Sequence, residues 1–252
     1  MAKKRRRKRR INPIRLLVVI AIELCIIVGL LIVCTKIFPD SPILQPIKNL
    51  IVQEPPVVVL DAGHGGYDSG TVYQDVYEKD VTLAIVKDIG DYLEEHGYPV
   101  AYTRESDEVS WPSNEQEDLE ERVNISNNSD AKYFVSIHTN ATEYDMGSYG
   151  YEIWGKMQNE KVATLSENIL TEIDTLGYSL NRGAKDQDTY PLYVLENNDL
   201  PAILIEAGFL ASEQDRSYLL DEEKRKLFAD EIADGIIKTL EAEEEESTVQ
   251  NS

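Results

Sequence analysis

Apolar residues fall along this chain in two rhythms: short unbroken runs, and longer stretches with every fourth position apolar. Val57-Val58-Val59-Leu60 is a run of the first kind. It is rich in β-branched residues and lacks alternation, which predicts a strand buried on both faces. From Glu78 the rhythm changes, and Val81, Ile85, Ile89 and Leu93 step by four. That spacing makes one buried stripe on a helix, with His96 in its last turn and Gly97 ending it. The same reading predicts strands over 98–103, 133–138, 150–154, 192–195 and 202–206. It predicts helices over 115–127, 160–176 and 222–240, a loop over 104–114 carrying Trp111-Pro112, and a disordered acidic tail over 241–252. Strands alternating with helices of this length imply an α/β domain whose largely parallel sheet is covered on both faces. No internal repeat is visible.

The first 38 residues follow neither rhythm. Residues 1–15 hold nine Lys or Arg and no acid, and residues 16–35 are mostly Leu, Ile and Val. Twenty such residues span about 30 Å as a helix, the thickness of a bilayer core. Glu23 is the one charge among them, at a cost of about 3 kcal/mol that the aliphatic neighbours outweigh. The expectation is a basic cytoplasmic stub (1–15), a single transmembrane anchor (16–38), a Pro-rich linker (39–56) and a catalytic domain (57–240) outside the cell membrane. A cleaved signal peptide is disfavoured, because Cys34-Thr35-Lys36 offers no small-residue cleavage site. A lipoprotein site at Cys34 is disfavoured by the bulk of Val33. Both cysteines, Cys25 and Cys34, lie within the apolar span, so the remainder relies on packing and any bound metal. Beyond Lys36 stand 45 acidic and 15 basic residues, a net −30. Such a surface repels phosphate and argues against a nucleic-acid partner.

Candidate chemistry collects at strand ends. His64 follows the first strand in the glycine-rich turn Asp61-Ala62-Gly63-His64-Gly65-Gly66, His138 ends Tyr133-Phe134-Val135-Ser136-Ile137-His138, and Glu206 follows Ala202-Ile203-Leu204-Ile205. Open α/β sheets bind ligands beyond the C-terminal ends of their strands, where all three residues fall. Two histidines and one acid are what a catalytic zinc takes when a fourth position is kept for water. Glu78 is the natural third ligand, although an acid at a helix N-terminus also serves the macrodipole. A carboxylate at Glu206 is costly to bury unless paired or functional. It either takes a proton from activated water or forms an ion pair, with Arg182 or Arg122 as partner.

Four blocks in this order resemble the zinc-dependent N-acetylmuramoyl-L-alanine amidases of bacterial cell walls. They are Asp61-Ala62-Gly63-His64-Gly65-Gly66-x-Asp68-x-Gly70, Glu78-Lys79-Asp80, Ser136-Ile137-His138-x-Asn140-Ala141 and Glu206-x-Gly208-Phe209. Lesser matches are Thr103-Arg104 with Asp107, Arg122, Asn181-Arg182-Gly183 and Pro201. The resemblance covers residues 57–240. It implies a six-stranded α/β fold, one Zn2+ per chain held by His64, Glu78 and His138, and Glu206 as catalytic acid/base. Asp68, Arg122, Asn140 and Arg182 are implied as substrate-binding or supporting residues. The implied substrate is peptidoglycan, cut between N-acetylmuramic acid and L-alanine. Ala62 replaces a proline common in such proteins, and the loop around residues 111–117 is longer than usual. No inserted blocking helix follows Asn140, and no wall-binding repeat follows the catalytic part. Three other readings remain: a germination-type spore cortex amidase, another hydrolase on the same scaffold cutting a different amide, and a silent wall-binding or regulatory module, which would be expected to lack a ligand or the base.

Overall fold

The computed structural model describes residues 22–23, 26–31, 33–34, 37, 55–111, 114–141 and 147–250. The chain divides into two units, Met1–Glu54 and Pro55–Ser252. In the first unit the described residues are helical. The expected basic stub, much of the expected anchor and most of the linker lie outside the described residues. Among those described, no helix is long and apolar enough to cross a membrane.

The second unit is built on a six-stranded sheet. Its strands are β1 (Val58–Ala62), β4 (Val100–Tyr102), β5 (Tyr133–Asn140), β6 (Tyr151–Gly155), β7 (Asn181–Asp186) and β8 (Ala202–Phe209). Their spatial order is β4-β1-β5-β8-β6-β7. Every neighbouring pair is parallel except β6 and β8, so the sheet is mainly parallel with β6 and β7 reversed. A small hairpin, β2 (Val72–Tyr73) and β3 (Val76–Tyr77), precedes α1 (Glu78–Glu95). Its turn residues Gln74 and Asp75 both have positive φ, as a two-residue hairpin turn of this hand requires.

The alternation of strand side chains sorts the core into two layers. Val58, Leu60, Val135, Ile137, Ile203 and Ile205 face α1, α3 (Glu160–Asp174) and α6 (Glu222–Gln250). The α1 stripe of Val81, Ile85, Ile89 and Leu93 packs into that layer, each residue 4% exposed or less. Val59, Phe134, Ala202 and Leu204 face the other way, toward α2 (Glu115–Asn127) and the short α4 (Tyr193–Glu196). The first layer is the larger, because three long helices cover it.

Three expectations are corrected here. Residues 192–195 are not a strand: Tyr193–Glu196 form α4, whose Val194 and Leu195 cap the second layer. The sixth strand is β7 instead, a polar edge strand without a single β-branched residue. Residues 241–250 continue α6 where disorder was expected. Glu243 accounts for part of this order, since it accepts a hydrogen bond from the Tyr133 hydroxyl at 2.8 Å and pairs with Lys161 at 2.7 Å.

The segments leading into β6 and β7 and the last residue of β8 are tied together by Asp215 on α5 (Glu213–Leu220), which is fully buried. Its carboxylate accepts from the backbone amides of Gly150 and Phe209 and from the Ser179 hydroxyl. Truncating it strands buried donors, each worth about 1–3 kcal/mol when left unmade. The Asp215→Ala variant is therefore expected to lose about 3 kcal/mol of stability. Urea unfolding measures this, and an unchanged midpoint would refute the role.

Candidate active site

β1 and the segment after it set the first part of the site. Asp61 is fully buried at the end of β1. Its Oδ1 accepts from Thr103 Oγ1 at 2.6 Å and Arg122 Nη1 at 2.7 Å, and its Oδ2 from Ser136 Oγ at 2.5 Å. Arg122 also donates to Asp118 Oδ1 and to the backbone oxygens of Ala62 and His64. Burial works to raise the Asp61 carboxyl, but Arg122 and the two hydroxyls outweigh it and hold it below the usual carboxylate range. Arg104 clasps the turn from the other side, donating to the carbonyls of Ala62, Gly63 and Lys79. Asp107 accepts from the Gly66 amide and from Lys79. His64 thus sits at φ 62, a left-handed conformation unusual for a histidine, in a turn clamped on both sides.

Glu78 opens α1 beneath this turn and is 2% exposed. Its Oε1 lies 3.3 Å from both His64 Nε2 and His138 Nδ1, and the three ligand-type atoms fall within 4.8 Å of one another. Backbone amides fix the carboxylate, Thr71 N on Oε2 and Thr139 N on Oε1. Asp68 Oδ2 meets His64 Nδ1 at 2.7 Å, which orients the ring and leaves Nε2 for the cluster. Two glycines make the room. A Cβ at Gly63 would overlap the His138 ring, and one at Gly70 would come 2.6 Å from His64 Cδ2.

The donor set suits a divalent cation. Burial lowers the His64 imidazole, but Glu78 and Asp68 reverse this and raise it to about 9. Burial raises the Glu78 carboxyl, and the two imidazoles hold it far below its ordinary range. The field that retains a proton there also favours a metal ion, and two histidines with one carboxylate match the preferences of zinc. His64, Glu78 and His138 can hold such an ion.

Glu206 stands directly opposite His138 on the neighbouring parallel strand β8. Neither arginine pairs with it: Arg122 serves Asp61 and Asp118, and Arg182 serves Glu152. Its Oε2 is buried with no hydrogen-bond partner among the described residues. Burial, with the charges of Glu78 and Glu152, pushes its carboxyl up to about 8.

Glu152 was not found by sequence reading. It lies opposite Glu206 across the antiparallel β6–β8 pairing. Its Oε1 accepts from Asn140 Nδ2 at 3.2 Å and Trp154 Nε1 at 3.0 Å, and its Oε2 from Arg182 Nε at 2.8 Å. Asn140 and Arg182 therefore reach the site through Glu152, while Asp68 and Arg122 reach it through the His64 turn. His96, by contrast, stacks on Tyr92 at the end of α1 and takes no part.

A cleft of about 330 Å³ opens beside His64 and His138. Tyr67, Tyr190, Leu192 and Tyr193 give it apolar walls, and Glu115 and Asp118 lie along its floor and rim. The segment expected as a strand is thus one wall of the cleft. Trp111, in the long loop before α2, is buried, with the Arg122 guanidinium carbon 5.2 Å from the ring centre.

A mainly parallel α/β sheet with a cluster that could hold a cation, and at its C-terminal edge a carboxylate oxygen unpartnered among the described residues, is an arrangement suited to hydrolysis. Residues 58–238 match the N-acetylmuramoyl-L-alanine amidase family, and the chain belongs to it. The germination-specific N-acetylmuramoyl-L-alanine amidase of Bacillus subtilis (strain 168) is 34% identical over 192 residues, 72% of this chain and 78% of that protein. The crystal structure of an N-acetylmuramoyl-L-alanine amidase from Clostridium difficile 630 superposes with a TM-score of 0.66 at 29% identity, covering 75% of this chain and 98% of that one. The CwlD amidase from Clostridioides difficile, solved in complex with the GerS lipoprotein, gives 0.65 at 32%, covering 75% and 100%. The chain is a cell-wall amidase, a hydrolase.

The Asp61–Arg122 pair carries a pH-dependent prediction. A carboxyl lowered on folding adds stability that is complete above its unfolded value, about 3.9, and is lost as pH falls through the folded value. Asp61→Asn leaves Arg122 buried with its main partner uncharged, at a cost of about 3–5 kcal/mol near pH 7. The deficit relative to wild type is expected to shrink below about pH 4. Thermal unfolding across pH tests this, and a deficit constant down to pH 2 would overturn it.

Proposed function

We propose that the protein is a zinc-dependent amidase that uses Glu206 to cut peptidoglycan between N-acetylmuramic acid and L-alanine. The observation that carries the reading is the convergence of His64 Nε2, Glu78 Oε1 and His138 Nδ1 beside the unpartnered Oε2 of Glu206. His64, Glu78 and His138 would hold the zinc ion, which when bound would supply Lewis acidity toward the scissile carbonyl and the attacking water. Glu206 accepts the proton of that water and delivers one to the departing alanine nitrogen, so the amide yields a lactyl carboxylate and a free amine. Asp68 keeps the His64 ring in place, and Glu152 holds its partners while leaving Glu206 unencumbered.

We further propose a tether through residues 16–38, with the N-terminus in the cytoplasm and the catalytic unit outside the membrane. Nine basic residues ahead of a 20-residue apolar stretch support this topology. The germination-specific relative favours spore cortex as a second setting for the same reaction.

Glu206→Gln is expected to retain about one zinc per chain and to release new L-alanine amino termini from peptidoglycan about 10²–10⁴-fold more slowly than wild type. His138→Ala should lose both metal and activity. Metal analysis beside an amino-terminus assay reads both. Unchanged turnover in Glu206→Gln would remove that residue from the mechanism, and a wild-type protein that releases nothing from any wall preparation would remove the function.

A further inference from the structure

Across the sheet, on the face that carries the site, His138, Glu206, Glu152 and Arg182 form a row over the neighbouring strands β5, β8, β6 and β7. The row begins at the metal cluster and ends on an edge strand with a guanidinium. Arg182 is fixed on two sides. Its Nε donates to Glu152 Oε2 at 2.8 Å, and its guanidinium carbon lies 5.3 Å from the centre of the Phe209 ring. The hydrogen bond and the stacked ring together set the plane of the fork. Neither η-nitrogen donates to any described residue, and the side chain keeps 35% of its exposure.

The other arginines around the cluster are spent, Arg122 on two carboxylates and two backbone oxygens and Arg104 on the carbonyls of Ala62, Gly63 and Lys79. Glu152 is already satisfied by three donors, so it does not draw on the η-edge of Arg182. What remains is a pre-oriented pair of N–H donors facing outward, the geometry that takes a carboxylate in two parallel hydrogen bonds.

We propose that Arg182 is a substrate-binding residue that receives a carboxylate of the stem peptide, on the residue following the alanine released by cleavage. This rests on the amidase reading above and deepens it. Strands lie about 4.8 Å apart, so β7 is about 10 Å from Glu206 on β8. An extended peptide advances about 3.5 Å per residue, and the arginine side chain covers the rest. The cleft lies over β1, β5 and β8; its arginine, Arg122, is committed to Asp61 and Asp118, and its histidines face Glu78, so it offers an anionic peptide no guanidinium left free. The charge of Arg182 therefore sends the peptide arm of the substrate toward β7 and leaves the cleft to the sugar arm.

The test compares two small substrates, N-acetylmuramoyl-L-alanyl-D-isoglutamate and the corresponding D-isoglutamine compound, whose carboxylate is replaced by an amide. Full-length wild type, Arg182→Gln and Arg182→Lys are assayed for kcat and KM. Binding of the dipeptide L-alanyl-D-isoglutamate is measured alongside by calorimetry, which needs no turnover. Wild type is expected to favour the carboxylate compound about tenfold in kcat/KM, chiefly through KM. Arg182→Gln should lose that preference, cutting the two compounds with equal kcat/KM whatever loss common to both follows from the weakened hold on Glu152, and should bind the dipeptide about tenfold more weakly. Arg182→Lys should recover part of the preference. Equal losses on both compounds would overturn the proposal and reduce Arg182 to a support for Glu152, as would a wild type indifferent to the carboxylate. If neither compound is cut, dipeptide binding decides the subsite, and release from intact wall separately decides the amidase reading.

Discussion

The site depends on one buried ion pair, Asp61 with Arg122, whose side chains are 1% and 3% exposed. Burying two charges costs several kcal/mol each, and attraction alone seldom repays that. Here the remaining donors and acceptors are engaged as well: Thr103 and Ser136 serve the acid, and Asp118 and two backbone oxygens serve the base. The return is geometric. The pair joins the end of β1 to α2, to β5 and to the strand-end residue Thr103, and through the His64 carbonyl it holds a histidine backbone at φ 62. Strain of that kind persists only where the surroundings over-determine it.

That arrangement explains why the candidate metal-binding cluster was legible in the chain and its support was not. His64, His138 and Glu206 each follow a continuous apolar run, and a parallel sheet sends every such run to the same edge. Glu78 follows from the start of a stripe with clear four-residue steps. Glu152 carried no such sign. In Tyr151-Glu152-Ile153-Trp154 an acid between apolar residues reads as the wet face of a half-exposed strand. Only the antiparallel placement of β6 beside β8 turns it toward Glu206, and strand order cannot be read from periodicity.

The elements that were misread share a cause. β7 has the sequence Asn181-Arg182-Gly183-Ala184-Lys185-Asp186 and buries little, as an edge strand can. Leu192 and its neighbours look like a strand because they are apolar, but they answer to a cleft wall and a helix-side core, which demand apolarity without period two. The acidic end of α6 looks unstructured by composition, yet Tyr133 and Lys161 meet Glu243 there. In each case a tertiary partner distant in sequence overrode the local signal.

The two glutamates that face each other across β6 and β8 show how one sheet gives identical side chains different duties. Glu152 receives a tryptophan, an asparagine and an arginine, so its charge is compensated and its position fixed. Glu206 keeps one buried oxygen without a donor among the described residues, and burial, with Glu78 and Glu152 beside it, raises its carboxyl to about 8. Environments that push neighbouring acids apart in this way separate a structural carboxylate from one free to exchange protons. The unequal sharing of donors, rather than the presence of two acids, is what sets the two carboxylates apart.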